Sequence, residues 1–168
     1  MIVSYSSPWS LAKGSVFDVE CRDAKTGDGA FLSLTEKTDK PLADISSTFF
    51  MEQLFAPTGR FSFYGAPTNI KIKKSYMDET GTKRIIDFSF ANLSQSTNAE
   101  IPRNGVMVAS MTESNQAVIL VGSATSNRWK NKGAEQAVRD TIATFNASPS
   151  PKSSMKVQRK ESFSEIFN

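Results

Sequence analysis

The chain has 168 residues, of which 39% are hydrophobic and 22% charged, with a formal charge of +3 and no histidine. That length suits one compact domain with a tail rather than two ordinary domains, and the composition is that of a folded globular chain. Without histidine there is no Ser-His-Asp or Cys-His nucleophile, no His-containing zinc site and no imidazole base near neutral pH.

The longest apolar runs fall far short of the ~18 residues a spanning helix needs, so an integral membrane protein is not expected. MIVSYSSPW lacks a basic region followed by an apolar stretch, so no targeting peptide is read there. An imported form would carry its targeting segment outside this sequence. The single Cys21 has no internal disulfide partner and alternates with Val19, which predicts a small apolar role in a strand.

In chain order, Ile2–Tyr5 is a short candidate strand, followed by a Ser-Pro turn and Trp9. Val16–Arg22 and Ala30–Glu36 alternate as strands do, and the turn-forming DAKTGDG between them predicts an antiparallel hairpin. After Pro41 the period changes. Leu42, Ile45, Phe49, Phe50 and Leu54 recur at helical spacing, predicting a helix over Ala43–Phe55 with Asp44 near its positive end and Pro57 and Gly59 beyond it.

Ile70–Met77 and Arg84–Leu93 flank a turn with Gly81, and Ile86, Phe88 and Phe90 give the second strand one apolar face. Val106–Met111 and Gln116–Ala124 form a third hairpin around Glu113-Ser114-Asn115. The last of these strands is apolar on both faces, which predicts a central position covered from both sides. A polar turn with Arg128-Trp129-Lys130 leads to Gly133, which opens a helix whose Ala134, Val138, Ile142 and Phe145 share a stripe. Two prolines and small turn formers then divide a domain, 1–147, from a basic and aromatic tail, 148–168.

Few motifs suggest chemistry. DAKTGDG pairs Asp23 and Asp28 with glycines, but Leu34 stands where a calcium loop needs its bidentate Glu, so a plain turn is the better reading. Asp18 and Glu20 read as solvated strand residues. Lys71, Lys73 and Lys74, with Lys83 and Arg84, place five positive charges around one hairpin; a solvated face is the default and an electrostatic docking patch the functional alternative. Arg128 and Lys130 flank Trp129, which is expected to pack on the sheet while its cations reach an acidic partner. In the tail, Lys156, Arg159 and Lys160 precede Phe163, Ile166 and Phe167, whose spacing gives one apolar face on a helical turn. There the basic residues would steer and the apolar cluster anchor in a partner's pocket. Stacking aromatics are too few among these cations for nucleic-acid binding.

Several of these pieces together resemble the PsbP family, extrinsic proteins of the thylakoid lumen. Tyr5 to Trp9 is similar to that family's Tyr-x-x-Pro-x-x-Trp opening, with closer Pro-Trp spacing. Phe17-Asp18-Val19 with Ala30–Thr35 resembles its first hairpin, and Leu42-Ala43-Asp44-Ile45 the start of its first helix. Gln116–Phe145 resembles its closing strand, basic-tryptophan turn and helix. The resemblance implies an α+β fold, a mainly antiparallel sheet covered by helices on both faces, shared with the Ran-binding Mog1 proteins.

It also implies a non-catalytic subunit on the lumenal face of a photosynthetic membrane complex in the chloroplast. Photosystem II and its oxygen-evolving centre come first; a subunit or assembly factor of photosystem I or another thylakoid complex is the alternative. Association would be peripheral, through protein partners. Well-known members carry an N-terminal extension tied to ion retention, whereas this chain begins almost at the first strand and has no metal-binding histidine. Docking is therefore the expectation, and calcium and chloride belong to the partner complex rather than to this chain.

Overall fold

In a computed structural model the described residues are 1–13, 19–62, 65–94 and 96–150. The fold is α+β. Six antiparallel strands form one sheet: β2 (Glu20–Arg22), β3 (Gly29–Lys37), β4 (Thr68–Met77), β5 (Arg84–Leu93), β6 (Glu100–Met111) and β7 (Gln116–Thr125). Their spatial order is β2-β3-β7-β6-β5-β4. β1 (Ile2–Ser4) leaves this sheet and pairs with β8 (Asn146–Ser148) as a separate two-stranded ribbon. The last strand thus runs through Ser148.

The doubly apolar strand lies inside the sheet, as its pattern predicts. Ala117, Ile119 and Val121 of β7 join Met107 and Ala109 of β6 in one core cluster, while Val118 and Leu120 join Val106 and Val108 in another. Each face needs its own cover. Helix α1 (Ser47–Leu54) supplies Phe50, Met51 and Leu54 to the first cluster, and helix α3 (Ala134–Ala143) supplies Val138 and Ile142 to the second. Fully burying such side chains contributes about 1.5–3 kcal/mol each before entropy is charged against it. On the α1 face Phe55, Phe61, Phe88 and Phe90 stack as one aromatic group, with Phe61 and Phe90 centroids 4.5 Å apart.

Three elements differ from the sequence expectation. The first helix begins at Ser47, not Ala43, because Ser46 caps it, its hydroxyl accepting from the Phe49 N–H at 3.1 Å. Upstream, the carbonyls of Leu42, Ala43 and Ile45 accept from the Arg84 guanidinium on β5, so this turn is held by a cation from the sheet. Asp44 consequently lies ahead of the helix. The segment after β7 is not a turn but a short helix, α2 (Ser126–Asn131). The sixth strand starts at Glu100, six residues before the apolar run that marks it in the sequence. Of Val16–Arg22, residues 16–18 lie outside the described residues.

Close packing of α3 depends on Gly122. It lies on the α3 face of β7, where a Cβ would come within 2.9 Å of Val138 Cγ1. Gly122→Ala is expected to destabilise the fold by about 1–3 kcal/mol through overpacking. Combined with Val138→Ala, the two costs should fall short of their sum by about 1 kcal/mol in a denaturant double-mutant cycle. Strict additivity would show that the helix does not rest on this glycine.

Candidate functional site

Helices α2 and α3 lie over β6 and β7, and β4, at the edge of the same face, is left largely exposed. The lysines of β4 gather there. Lys71 pairs in register with Ser89 and Lys74 with Asp87, both on the α3 face of β5, where Asp87 meets Arg139 of α3 at 2.9 Å. A bulge between Ile72 and Lys74 breaks strict alternation. Lys73 donates to Asn104 Oδ1 on β6, so all three lysines serve one face. Alternation alone would have sent Lys74 to the opposite one.

Lys71 and Lys73 line a groove of about 510 Å³ together with Lys130 of α2. Its floor is polar and organised. Asn104, 5% exposed, accepts from Lys73 and donates to Ser126 Oγ at 2.9 Å, tying β4, β6 and α2 together. Glu100 sits at one end, accepting from Thr68 and Asn69. Three ammonium groups thus share a concave surface with a single carboxylate among its described lining residues. Such a surface raises the local concentration of anionic groups and favours acidic partners. The edge position of β4 gives its lysines a second effect, since charges there discourage strand addition.

Other cations singled out in the sequence are placed elsewhere. Lys74 lies over the Tyr76 ring at 4.4 Å. Arg128 does not join the groove: its Nε meets Asp28 Oδ2 at 2.6 Å, and Asp28 is only 2% exposed. Lys83 donates to the Phe145 carbonyl, and Arg84 holds the turn before α1. Glu20, expected in solvent, is buried and accepts two bonds from Arg60, at 2.7 and 3.0 Å. Trp129 is half-buried against the α3-face core, as its size predicts, with Arg139 over its ring. Cys21 is half-buried and accepts from the Tyr5 hydroxyl; burial, then this bond, pushes the phenol pKa upward. Asp18 and the tail residues Lys156, Arg159, Lys160, Phe163, Ile166 and Phe167 lie outside the described residues.

Asp28 stands at the centre of a buried charge group. Arg103 donates to the Gly27 carbonyl and to Ser123 Oγ, and burial draws its pKa down to about 10, with Asp28 opposing and Arg60 adding to the shift. It remains a cation at neutral pH. The arrangement ties the β2–β3 turn to β6, β7 and α2, fixing the helix that carries Lys130. Among the described residues no three His, Cys, Asp or Glu side chains gather as metal ligands, and no helix is long and apolar enough to cross a membrane.

Sequence reasoning missed Asn104, Ser126 and Glu100. Asn104 was within reach: it continues the Val106–Val108 alternation onto the α3 face, where a polar residue stands out.

Removing the cation from Arg128 strips a buried carboxylate of its hydrogen-bonded partner and leaves only the more distant Arg103 cation beside it. Arg128→Met should cost about 2–3 kcal/mol, below the full penalty for a buried pair because Arg128 is 34% exposed. Adding Asp28→Asn should recover most of that loss in denaturant unfolding. Equal stability of wild type and Arg128→Met would mean that solvent or Arg103 already satisfies Asp28.

No protein-family model matches the chain, and no curated protein sequence matches it. Among solved structures it is similar to cyanobacterial PsbP (CyanoP) from Synechocystis, with a TM-score of 0.53 and 14% identity over 87% of this chain and 82% of that one. It is also matched to LpqN of Mycobacterium tuberculosis, involved in cell envelope biogenesis, with a TM-score of 0.47 and 11% identity over 88% of this chain and 83% of that one. The likeness to CyanoP shows a PsbP-like fold.

Proposed function

We propose that the chain is a non-catalytic extrinsic protein that docks on an acidic surface of a photosynthetic membrane complex at the lumenal side of the thylakoid. Photosystem II, with support of its oxygen-evolving centre, is the first candidate. The observation that carries the reading is the convergence of Lys71, Lys73 and Lys130 on one concave surface. Their backbone is held by the sheet and by the Asp28–Arg128 pair, so the charges are presented in a fixed arrangement. The PsbP-like fold supplies the choice of partner. Calcium and chloride belong to that partner in this reading.

A contact built on lysines is long-range, strongly hydrated and screened by salt. Binding to photosystem II membranes stripped of their extrinsic proteins should weaken steeply between about 0.1 and 1 M salt, as the Debye length falls from ~10 to ~3 Å. Replacing Lys71, Lys73 and Lys130 by Gln should weaken it about tenfold or more, while the same change at exposed Lys37 and Lys40 should have little effect. Co-sedimentation at fixed salt measures both. Equal binding of the two variants would remove the groove from the contact. Selective binding to photosystem I membranes would keep the docking mode and change the partner.

A further inference from the structure

A depression larger than the lysine groove lies elsewhere on the described surface. At the opposite end of β6 a groove of about 870 Å³ runs between the β1–β8 ribbon and the sheet. Val3, Leu32, Leu34, Val118 and Ala147 are among its walls, and Leu34 is 57% exposed. Glu113 carries the one charged side chain among its described lining residues. An apolar concavity of this size is in the range that holds a drug-sized ligand or a few side chains.

The chain itself leaves through this groove. Ala147 closes the ribbon, Pro149 forms part of the wall, and the Met1 ammonium donates to Ser150 Oγ. The described residues therefore end at the groove's edge, where they are followed in the sequence by residues 151–168. They contain one apolar cluster, Phe163, Ile166 and Phe167, behind four cations and with two acids. Pro149 to Phe163 spans at most about 50 Å when extended, ample for returning to the groove. We infer that the groove is the docking site of this chain's own tail, with Phe163, Ile166 and Phe167 against Leu34 and Val118 and the tail's cations towards Glu113. This goes beyond the lysine contact and uses a separate surface.

Tethering makes the assignment feasible for a weak contact. A short flexible linker gives an effective concentration on the order of 1 mM, so a segment with an intrinsic Kd of about 0.1 mM is docked about nine-tenths of the time. A free apolar ligand or a second copy has no such advantage at ordinary protein concentration.

The test uses the full chain with Cys21→Ser and Asn168→Cys carrying a nitroxide. Amides of Leu34, Thr112 and Gln116 should lose more than about half their NMR intensity, while those of Lys71 and Asn104 keep theirs, as expected for a tethered segment at one site. Replacing Phe163, Ile166 and Phe167 by Ser should restore the lost intensity. In the chain with native Cys21 and no label, the same serine variant should shift the methyl signals of Leu34 and Val118. Broadening that is spread evenly, centred elsewhere or unchanged by the serines overturns the inference. So does groove broadening on an unlabelled chain mixed with a spin-labelled one, which would make a second copy the occupant.

Discussion

Two-sided burial of β7 is the constraint from which the rest of the architecture follows. Ala117, Ile119 and Val121 face one way and Val118 and Leu120 the other, all within a few per cent of complete burial. A strand of this kind cannot lie at an edge or against water, so the chain must supply a layer for each face. α1 with its aromatic group covers one, and α3 with the ribbon residues Val3 and Ala147 covers the other. Gly122 sets how closely α3 descends. Because α2 and α3 concentrate on β6 and β7, the outer edge of that face at β4 stays open. The open lysine surface is a by-product of where the cover is needed most.

The cations divide by chemistry. Arg60, Arg84, Arg103, Arg128 and Arg139 all donate to protein groups, bridging elements distant in sequence. The guanidinium suits this, with several donors in a fixed fork and weaker hydration than an ammonium. Among the described residues lysines carry most of the outward positive charge: Lys71 and Lys130 are exposed at the groove, and Lys73 spans it to Asn104. The internal set fixes the geometry and the external set is left at the surface. Arg128 and Lys130, two residues apart on α2, fall on opposite sides of that division.

Strands and hairpins were legible in the sequence because alternation and turn chemistry are local. Phe88 and Phe90 declare a face by period two, and Gly81 and Asn115 adopt the positive φ their turns require. Misreadings arose where a distant residue decides. Arg84 claims the carbonyls before α1 and so delays the helix, although Leu42 and Ile45 keep helical spacing and are buried. α2 has no apolar period beyond Trp129 and hides as a turn. β1 cannot be assigned to β8 from three residues at either end of the domain. Lys130 joins Lys71 and Lys73 only through sheet order and a bulge, and neither is written in their immediate neighbours.

The fold likeness and the surface therefore bear on function in different ways. At 14% identity a shared backbone says where strands and helices lie, while the side chains that meet a partner are this chain's own. The lysine groove and the larger groove sit at opposite ends of β6 and differ in character, one ringed by ammonium groups and one lined mainly by apolar side chains. Hydrated ammonium contacts form quickly, act over a Debye length and yield to salt, so they suit a protein that joins a larger assembly from its periphery. Apolar contacts are short-ranged and insensitive to salt, and a chain that left an apolar groove of this size open would expose it to unspecific association. Covering that groove from within would leave the lysine surface as the part of the molecule that chooses a partner.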